Sequence, residues 1–184
     1  MREIAKINKT FAEQIKEECG EDVYLCYQCK KCSLGCPTAY AMRYKPHQLI
    51  RTIQLGQKDL VLKDQSIWFC LSCQTCMTRC PQNLDFVKVA DAARTIGGRE
   101  KYKNPIPEIA AFNESFLFLV EKFGRIYEIG LVMLIKLKTK QIMKDVVTGL
   151  PLFFKGKFGL LPHKVKNVNE VQRIFAKVKE LESK

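Results

Sequence analysis

The run "CYQCKKCSLGCP" begins at Cys26, and 44 residues later the chain repeats its pattern as "CLSCQTCMTRCP". Both read C-x2-C-x2-C-x3-C-P, with Cys26, Cys29, Cys32, Cys36 and Pro37 in register with Cys70, Cys73, Cys76, Cys80 and Pro81. Three thiolates within seven residues can wrap one face of an iron–sulfur cube and bind three of its irons. The fourth cysteine is carried onward, with proline fixing the backbone direction, and in proteins with two such runs it ligates the other cluster. The expected assignment is therefore crossed. One [4Fe–4S] cluster takes Cys26, Cys29, Cys32 and Cys80, and the other takes Cys70, Cys73, Cys76 and Cys36. Such a swap relates the motifs by a local two-fold and ties residues 26–81 into one unit that depends on metal.

Two other uses of cysteine compete with this reading. Zinc also favours Cys-x2-Cys pairs, but a structural zinc site needs two separated pairs to close a tetrahedron. Here three cysteines sit too tightly to share one ion. Disulfides belong to oxidising compartments, and the opening "MREIAKINKTFAEQIKEE" is charged throughout and lacks the apolar core of a secretion signal. A cytoplasmic location is expected, and metal or redox chemistry for the cysteines. The ninth, Cys19 in "EECGED", stands outside the repeat and reads as a bystander thiol.

The chain has 184 residues, enough for one medium domain or two small ones. Strand-like alternation is nearly absent, and the expected fold class is all-α. Ile4, Ile7, Phe11 and Ile15 recur at helical spacing over residues 3–19. Pro46 can open a short helix that Gly56 ends. "NLDFVKVADAART" reads as another helix, stopped by Gly97-Gly98. After "KYKNPIPE" a long helix is expected to reach Phe123 before Gly124, and residues 125–146 continue in a helical pattern. "TGLPLFFKGKFGLLPHKVK" is a loop or extended arm. The tail places Asn167 as N-cap with Glu170 three residues on, a capping-box arrangement, followed by the apolar stripe Val168, Val171, Phe175 and Val178. The expected domains are a two-cluster domain over 1–100 and a helical C-terminal region over 101–184 for packing and partner docking.

The most apolar stretch has an uncharged run of only seven residues, Ile129 to Ile135. A membrane span needs roughly 20, so a buried helix is expected and no membrane span. The formal charge is +12, with sixteen basic against eight acidic residues in 101–184. That basic half is either a docking surface for an acidic partner or a solvated face. A nucleic-acid-binding role, with clusters as structural clips, has only the charge in its favour, since no recognised binding motif accompanies it.

Little else in the sequence offers chemistry. It contains no glycine-rich phosphate loop, dinucleotide fingerprint or His–Glu metal motif. His47 and His163 read as structural or exposed, and no catalytic residue is expected. Tyr24, Leu25, Leu34, Trp68 and Phe69 flank the ligands and are candidates for excluding water from the clusters.

The doubled "C..C..C...CP" with its 33-residue spacer resembles the α-helical ferredoxin domain, over about residues 20–100. Iron–sulfur subunits of succinate dehydrogenases, anaerobic glycerol-3-phosphate dehydrogenases and heterodisulfide reductases share that domain. "GRIYE" at 124–128 and "LPLFFKGKFGLLPHKVK" at 150–166 narrow the resemblance to the C-subunit family of the heterodisulfide reductases of methanogenic archaea. The resemblance implies an electron relay of two [4Fe–4S] clusters. Its partners in heterodisulfide reductase would be the flavin-containing A subunit, the electron donor, and the catalytic B subunit, which reduces the disulfide of coenzyme M and coenzyme B. A hydrogenase or formate dehydrogenase can belong to the larger complex. The alternative is an iron–sulfur subunit of another flavoprotein dehydrogenase or reductase.

Overall fold

A computed structural model of the chain describes residues 9–140 and 162–182. Ile4, Ile7, residues 141–146 and most of the 150–166 segment, with Lys155 and Lys157, lie outside the described residues. Every regular element among the described residues is helical, and none is long and apolar enough to cross a membrane. The chain divides into two compact units, 1–105 and 106–184.

The first unit holds six helices: α1 (Lys9–Cys19), α2 (Lys31–Leu34), α3 (Pro46–Gln54), α4 (Lys58–Lys63), α5 (Thr75–Thr78) and α6 (Phe86–Arg99). Two 3-10 turns, Val23–Leu25 and Gln65–Phe69, lead into the two cysteine runs. The order turn, motif helix, return helix therefore occurs twice. Lys31–Leu34 and Thr75–Thr78 are offset by the same 44 residues as the cysteines. The core lies between the repeats. Phe11 and Ile15 of α1, Leu49, Ile50 and Ile53 of α3, Val61 of α4, and Val89, Ala90 and Ala93 of α6 are all buried in one cluster.

Local chemistry accounts for the helix ends. Pro46 occupies the first turn of α3, where its missing N–H is no loss. Gly56 follows with φ +68, and its N–H reaches Ile53 O at 2.9 Å while Gln57 N–H reaches Thr52 O at 3.0 Å, a Schellman closure. Helix α6 does not stop at Gly97-Gly98 as its sequence suggests. It runs to Arg99 and closes one turn later, with Tyr102 N–H to Gly97 O at 2.8 Å and Lys101 N–H to Gly98 O at 3.1 Å. Lys101 takes the left-handed position, φ +59. Gly97 is buried, and a Cβ there would meet Leu62 Cδ2 at 3.6 Å. That is ordinary van der Waals distance, so the glycine neither ends the helix nor is demanded by its packing.

Among its described residues the second unit holds α7 (Pro107–Phe123), α8 (Glu128–Thr139) and α9 (Val168–Glu182). Gly124 ends α7 in the left-handed region, φ +74, as expected. Ala111, Ser115 and Leu119 form its buried stripe. The apolar run Ile129–Ile135 departs from expectation: no residue of α8 is buried, and Met133 is 60% exposed. Its apolar residues are spread around the helix instead of along one side, so no single stripe can be covered. The capping box at Asn167 also takes another form. Its side-chain Nδ2 donates to Glu170 Oε1 at 3.2 Å, while Glu170 N–H goes to the Asn167 carbonyl at 3.1 Å. In the following stripe Val168, Val171 and Phe175 are half-buried, and Val178 is exposed.

One buried side chain joins the two repeats. Ser66, fully buried, accepts a hydrogen bond from Tyr44 N–H at 2.9 Å while its own N–H donates to Asp64 Oδ1 at 2.7 Å. Replacing Ser66 with Ala strands the Tyr44 N–H, at a cost of about 1–3 kcal/mol. Thermal unfolding of the cluster-loaded S66A chain should show a lowered midpoint, and an unchanged midpoint would sink this account.

Candidate metal centre

In each cysteine run the backbone alternates in hand. Gln28 (φ +63) and Lys30 (φ +66) in the first run correspond to Ser72 (φ +52) and Gln74 (φ +63) in the second. All four are non-glycine residues in the left-handed region, where each costs roughly 1–2 kcal/mol. Successive peptides that alternate in this way turn their N–H groups toward one concavity, a nest that suits an anion such as an iron–sulfur cluster with its thiolates. Identical strain at 44-residue spacing marks two concavities of one kind.

Each concavity is braced from behind by a polar side chain of the return helix. Gln54 of α3, buried, donates through Nε2 to Val23 O at 2.8 Å and to Cys26 O at 3.1 Å. Arg94 of α6 does the same one repeat later, with Nε to Ile67 O at 3.1 Å and Nη2 to Ile67 O and Cys70 O. Val23 and Cys26 stand 44 residues before Ile67 and Cys70. Arg94 also lies over the Trp68 ring, 5.6 Å from its centroid. Sequence reasoning missed both residues. Their signal was a polar side chain at an otherwise apolar helix position, beside Ile53 and Ala93.

All nine cysteines are free thiols. Among the described residues, no three or more His, Cys, Asp or Glu side chains form a single-ion group. Instead, Cys36 lines one cavity together with Cys70, Cys73 and Cys76, closed by Met42, Pro46, Leu71, Phe86 and Val87. Near the first run, the phenol of Tyr27 is pushed above its usual range, by partial desolvation first and then by the charges of Cys29, Cys80 and Cys26.

Burial raises the Cys76 thiol to about 11, with the Cys70 charge adding to it. Burial likewise raises Cys32 and Cys70. Cys73 is lowered, because the Thr75 hydroxyl at 3.4 Å stabilises its thiolate. Near neutral pH the buried sulfurs therefore hold their protons until a cation takes their place, which is the behaviour of a metal-binding thiol set. Donors already stand beside the sulfurs. Gln28 Nε2 lies 3.4 Å from Cys26 Sγ, Leu84 N–H 3.4 Å from Cys80 Sγ, and Thr38 Oγ1 3.5 Å from Cys36 Sγ. Nests, cavity and donors all fit two [4Fe–4S] clusters. Such clusters would supply one-electron chemistry at these positions.

The other sequence candidates divide. Trp68 and Phe69 are half-buried, whereas Tyr24 and Leu25 are exposed and Leu34 is 82% exposed. The last three do not form a water-excluding wall within this chain, because the short turn and one-turn helix that carry them project their side chains outward. Cys19 is half-buried with Sγ on Ile15 O at 3.1 Å, and burial raises it. His47 is half-buried, with Nδ1 2.7 Å from Ser33 Oγ. His163 is exposed.

The braces can be tested directly. Gln54→Leu and Arg94→Met each remove the side-chain donor that two carbonyls share, a loss of about 1–3 kcal/mol per site. Iron content and EPR of the purified variants should show Q54L impairing chiefly the cluster of the first run and R94M that of the second. Equal damage to both signals in each variant would refute separate braces.

A family model described as a 4Fe-4S dicluster domain matches residues 22–84. Over 99 residues the chain is 33% identical to the C subunit of the H(2):CoB-CoM heterodisulfide,ferredoxin reductase of Methanothermobacter thermautotrophicus, covering 54% of each chain. It is 36% identical over 104 residues to the C2 subunit of the H(2)/formate:CoB-CoM heterodisulfide,ferredoxin reductase of Methanococcus maripaludis, covering 52% of this chain and 54% of that one. A protein of Archaeoglobus profundus, named for its likeness to the C subunit of heterodisulfide reductase, is 33% identical over 100 residues, covering 54% of this chain and 53% of the other. The chain spans about half the length of the curated relatives it matches. Residues 22–84 thus match a 4Fe–4S dicluster domain, and over about half its length the chain is similar to the heterodisulfide reductase C subunits.

Proposed function

We propose that this chain is the electron-transfer subunit of a heterodisulfide reductase complex in the cytoplasm of a methanogen. It receives electrons from the flavin-containing partner and passes them through two [4Fe–4S] clusters to the catalytic partner. There the disulfide of coenzyme M and coenzyme B takes up two electrons and two protons and becomes two thiols. A [4Fe–4S] cluster carries one electron at a time, so the relay delivers the pair in two passages. The chain itself has no catalytic residue in this reading.

The observation that carries the relay is the cavity in which Cys36 of the first run meets Cys70, Cys73 and Cys76 of the second. It supports crossed ligation, with Cys26, Cys29, Cys32 and Cys80 on one cluster and Cys70, Cys73, Cys76 and Cys36 on the other. Ligands exchanged between runs bring two clusters into one small domain, and neighbouring clusters are what a relay needs. The names of the relatives support the choice of enzyme. Exposed apolar residues of the motif segments, Tyr24, Leu25, Tyr27, Leu34 and Leu71, give partner subunits a surface close to the clusters.

Crossing makes an unusual demand on variants. Cys36→Ser and Cys70→Ser should extinguish the same EPR signal and cost roughly half the iron, and Cys80→Ser and Cys26→Ser should extinguish the other. A Cys36→Ser chain that lost the signal shared with Cys26→Ser would disprove the crossed scheme. For the enzyme assignment, anoxic low-salt affinity purification from the native cells should recover a flavoprotein and a second cysteine-rich protein. Together they should reduce the coenzyme M–coenzyme B disulfide. Recovery of a different dehydrogenase would move the electrons to another substrate.

A further inference from the structure

The two cysteine runs differ at several positions that touch a ligand, and Ser33 is the buried one among them. Ser33 follows Cys32 on α2 and is buried, whereas the residue 44 positions later is Met77, exposed and without a proton to donate. Three groups surround the Ser33 hydroxyl. The backbone N–H of His47 stands 3.1 Å from Oγ, the ring Nδ1 of His47 2.7 Å, and Cys32 Sγ 3.8 Å.

A hydroxyl has one proton and two lone pairs, which limits how these three neighbours can be served. The His47 backbone N–H can only donate, so it takes one lone pair. A sulfur bound to metal is a thiolate and can only accept. If Nδ1 accepted the hydroxyl proton, Cys32 would receive nothing and the second lone pair would stay empty. If Nδ1 carries the imidazole proton, the ring donates into that lone pair and the hydroxyl proton turns to Cys32 Sγ. Only this second arrangement makes all three hydrogen bonds. It needs no change of charge, because a neutral imidazole can place its single proton on either nitrogen.

We infer that Ser33, oriented by His47, is a positioning residue that donates a hydrogen bond to Cys32 and so raises the reduction potential of one cluster selectively. Reduction adds negative charge that spreads onto the sulfurs, and a donor to sulfur favours the reduced form. In the complex the electron comes from the flavin partner, and in a titration it comes from dithionite. No covalent bond of the chain changes. The repeat alone would build two similar clusters, and this buried contact adds to what makes them unequal, biasing the direction of the relay. The inference rests on the two-cluster reading above.

EPR-monitored redox titration of the full chain, loaded with both clusters, tests it. Ser33→Ala should lower one midpoint and leave the other in place. The shift should be equivalent to a several-fold to roughly tenfold change in the reduction equilibrium, the latter about 59 mV for one electron. A proton coupling that exchanges in deuterium oxide should be present in the parent chain and absent from S33A. His47→Ala keeps the hydroxyl but removes the ring that orients it, and should lower the same midpoint by less. If S33A fails to load both clusters, H47A alone decides. Full iron content with both midpoints unmoved, or with both moved equally, overturns the inference. A parent chain that binds no [4Fe–4S] cluster would instead overturn the relay reading itself.

Discussion

Cysteine sulfur is readily buried as a thiol and costly to bury as a thiolate, unless a cation and hydrogen-bond donors meet the charge. Much of the first unit's construction answers that cost. Burial pushes Cys76 up to about 11 and raises Cys32 and Cys70. The same sulfurs sit in backbone nests built from left-handed Gln28, Lys30, Ser72 and Gln74. Without an anionic group to receive those N–H groups, the four strained residues have no evident compensation. With clusters bound, strain and desolvation are offset together, which couples metal binding to folding.

The braces behind the nests show how a repeat is adapted. Gln54 and Arg94 reach equivalent carbonyl pairs, each from the ninth residue of its helix, yet they stand about one helical turn out of the 44-residue register and differ in charge. Arg94 adds a stacking contact with Trp68 and an ion pair with Asp91 that Gln54 has no means to make. The two halves share a backbone solution while their side chains diverge. Ser33 and Met77 diverge in the same way beside the sulfur itself.

The second unit is built differently. Among the described residues its helices bury a narrow stripe, Ala111, Ser115 and Leu119 on α7, and ion pairs such as Lys138–Glu114 at 2.8 Å and Lys179–Glu121 at 2.7 Å cross between helices. Exposed pairs of this kind contribute little, typically under about 1 kcal/mol. Leu117, Phe118, Met133 and Ile174 remain exposed. Residues 107–139 and 168–182 are helical as their periodicity indicated, but the even spread of apolar residues around α8 gave no stripe to bury, and the expectation of a buried helix failed for that reason.

The sequence by itself determined the eight motif cysteines, their 44-residue register, the all-helical class and the helix stops at Gly56 and Gly124. Those features depend on spacing and on backbone preferences that act within a few residues. It misjudged Gly97-Gly98, because a helix whose apolar face is packed against the core can run through glycines, and α6 turns only at Lys101. Tertiary structure alone decided which side chains brace the nests, and that Ser33 meets His47 fourteen residues away. Those are contacts between segments remote in sequence, set by the packing of α3 and α6 on the core, and no local pattern encodes them.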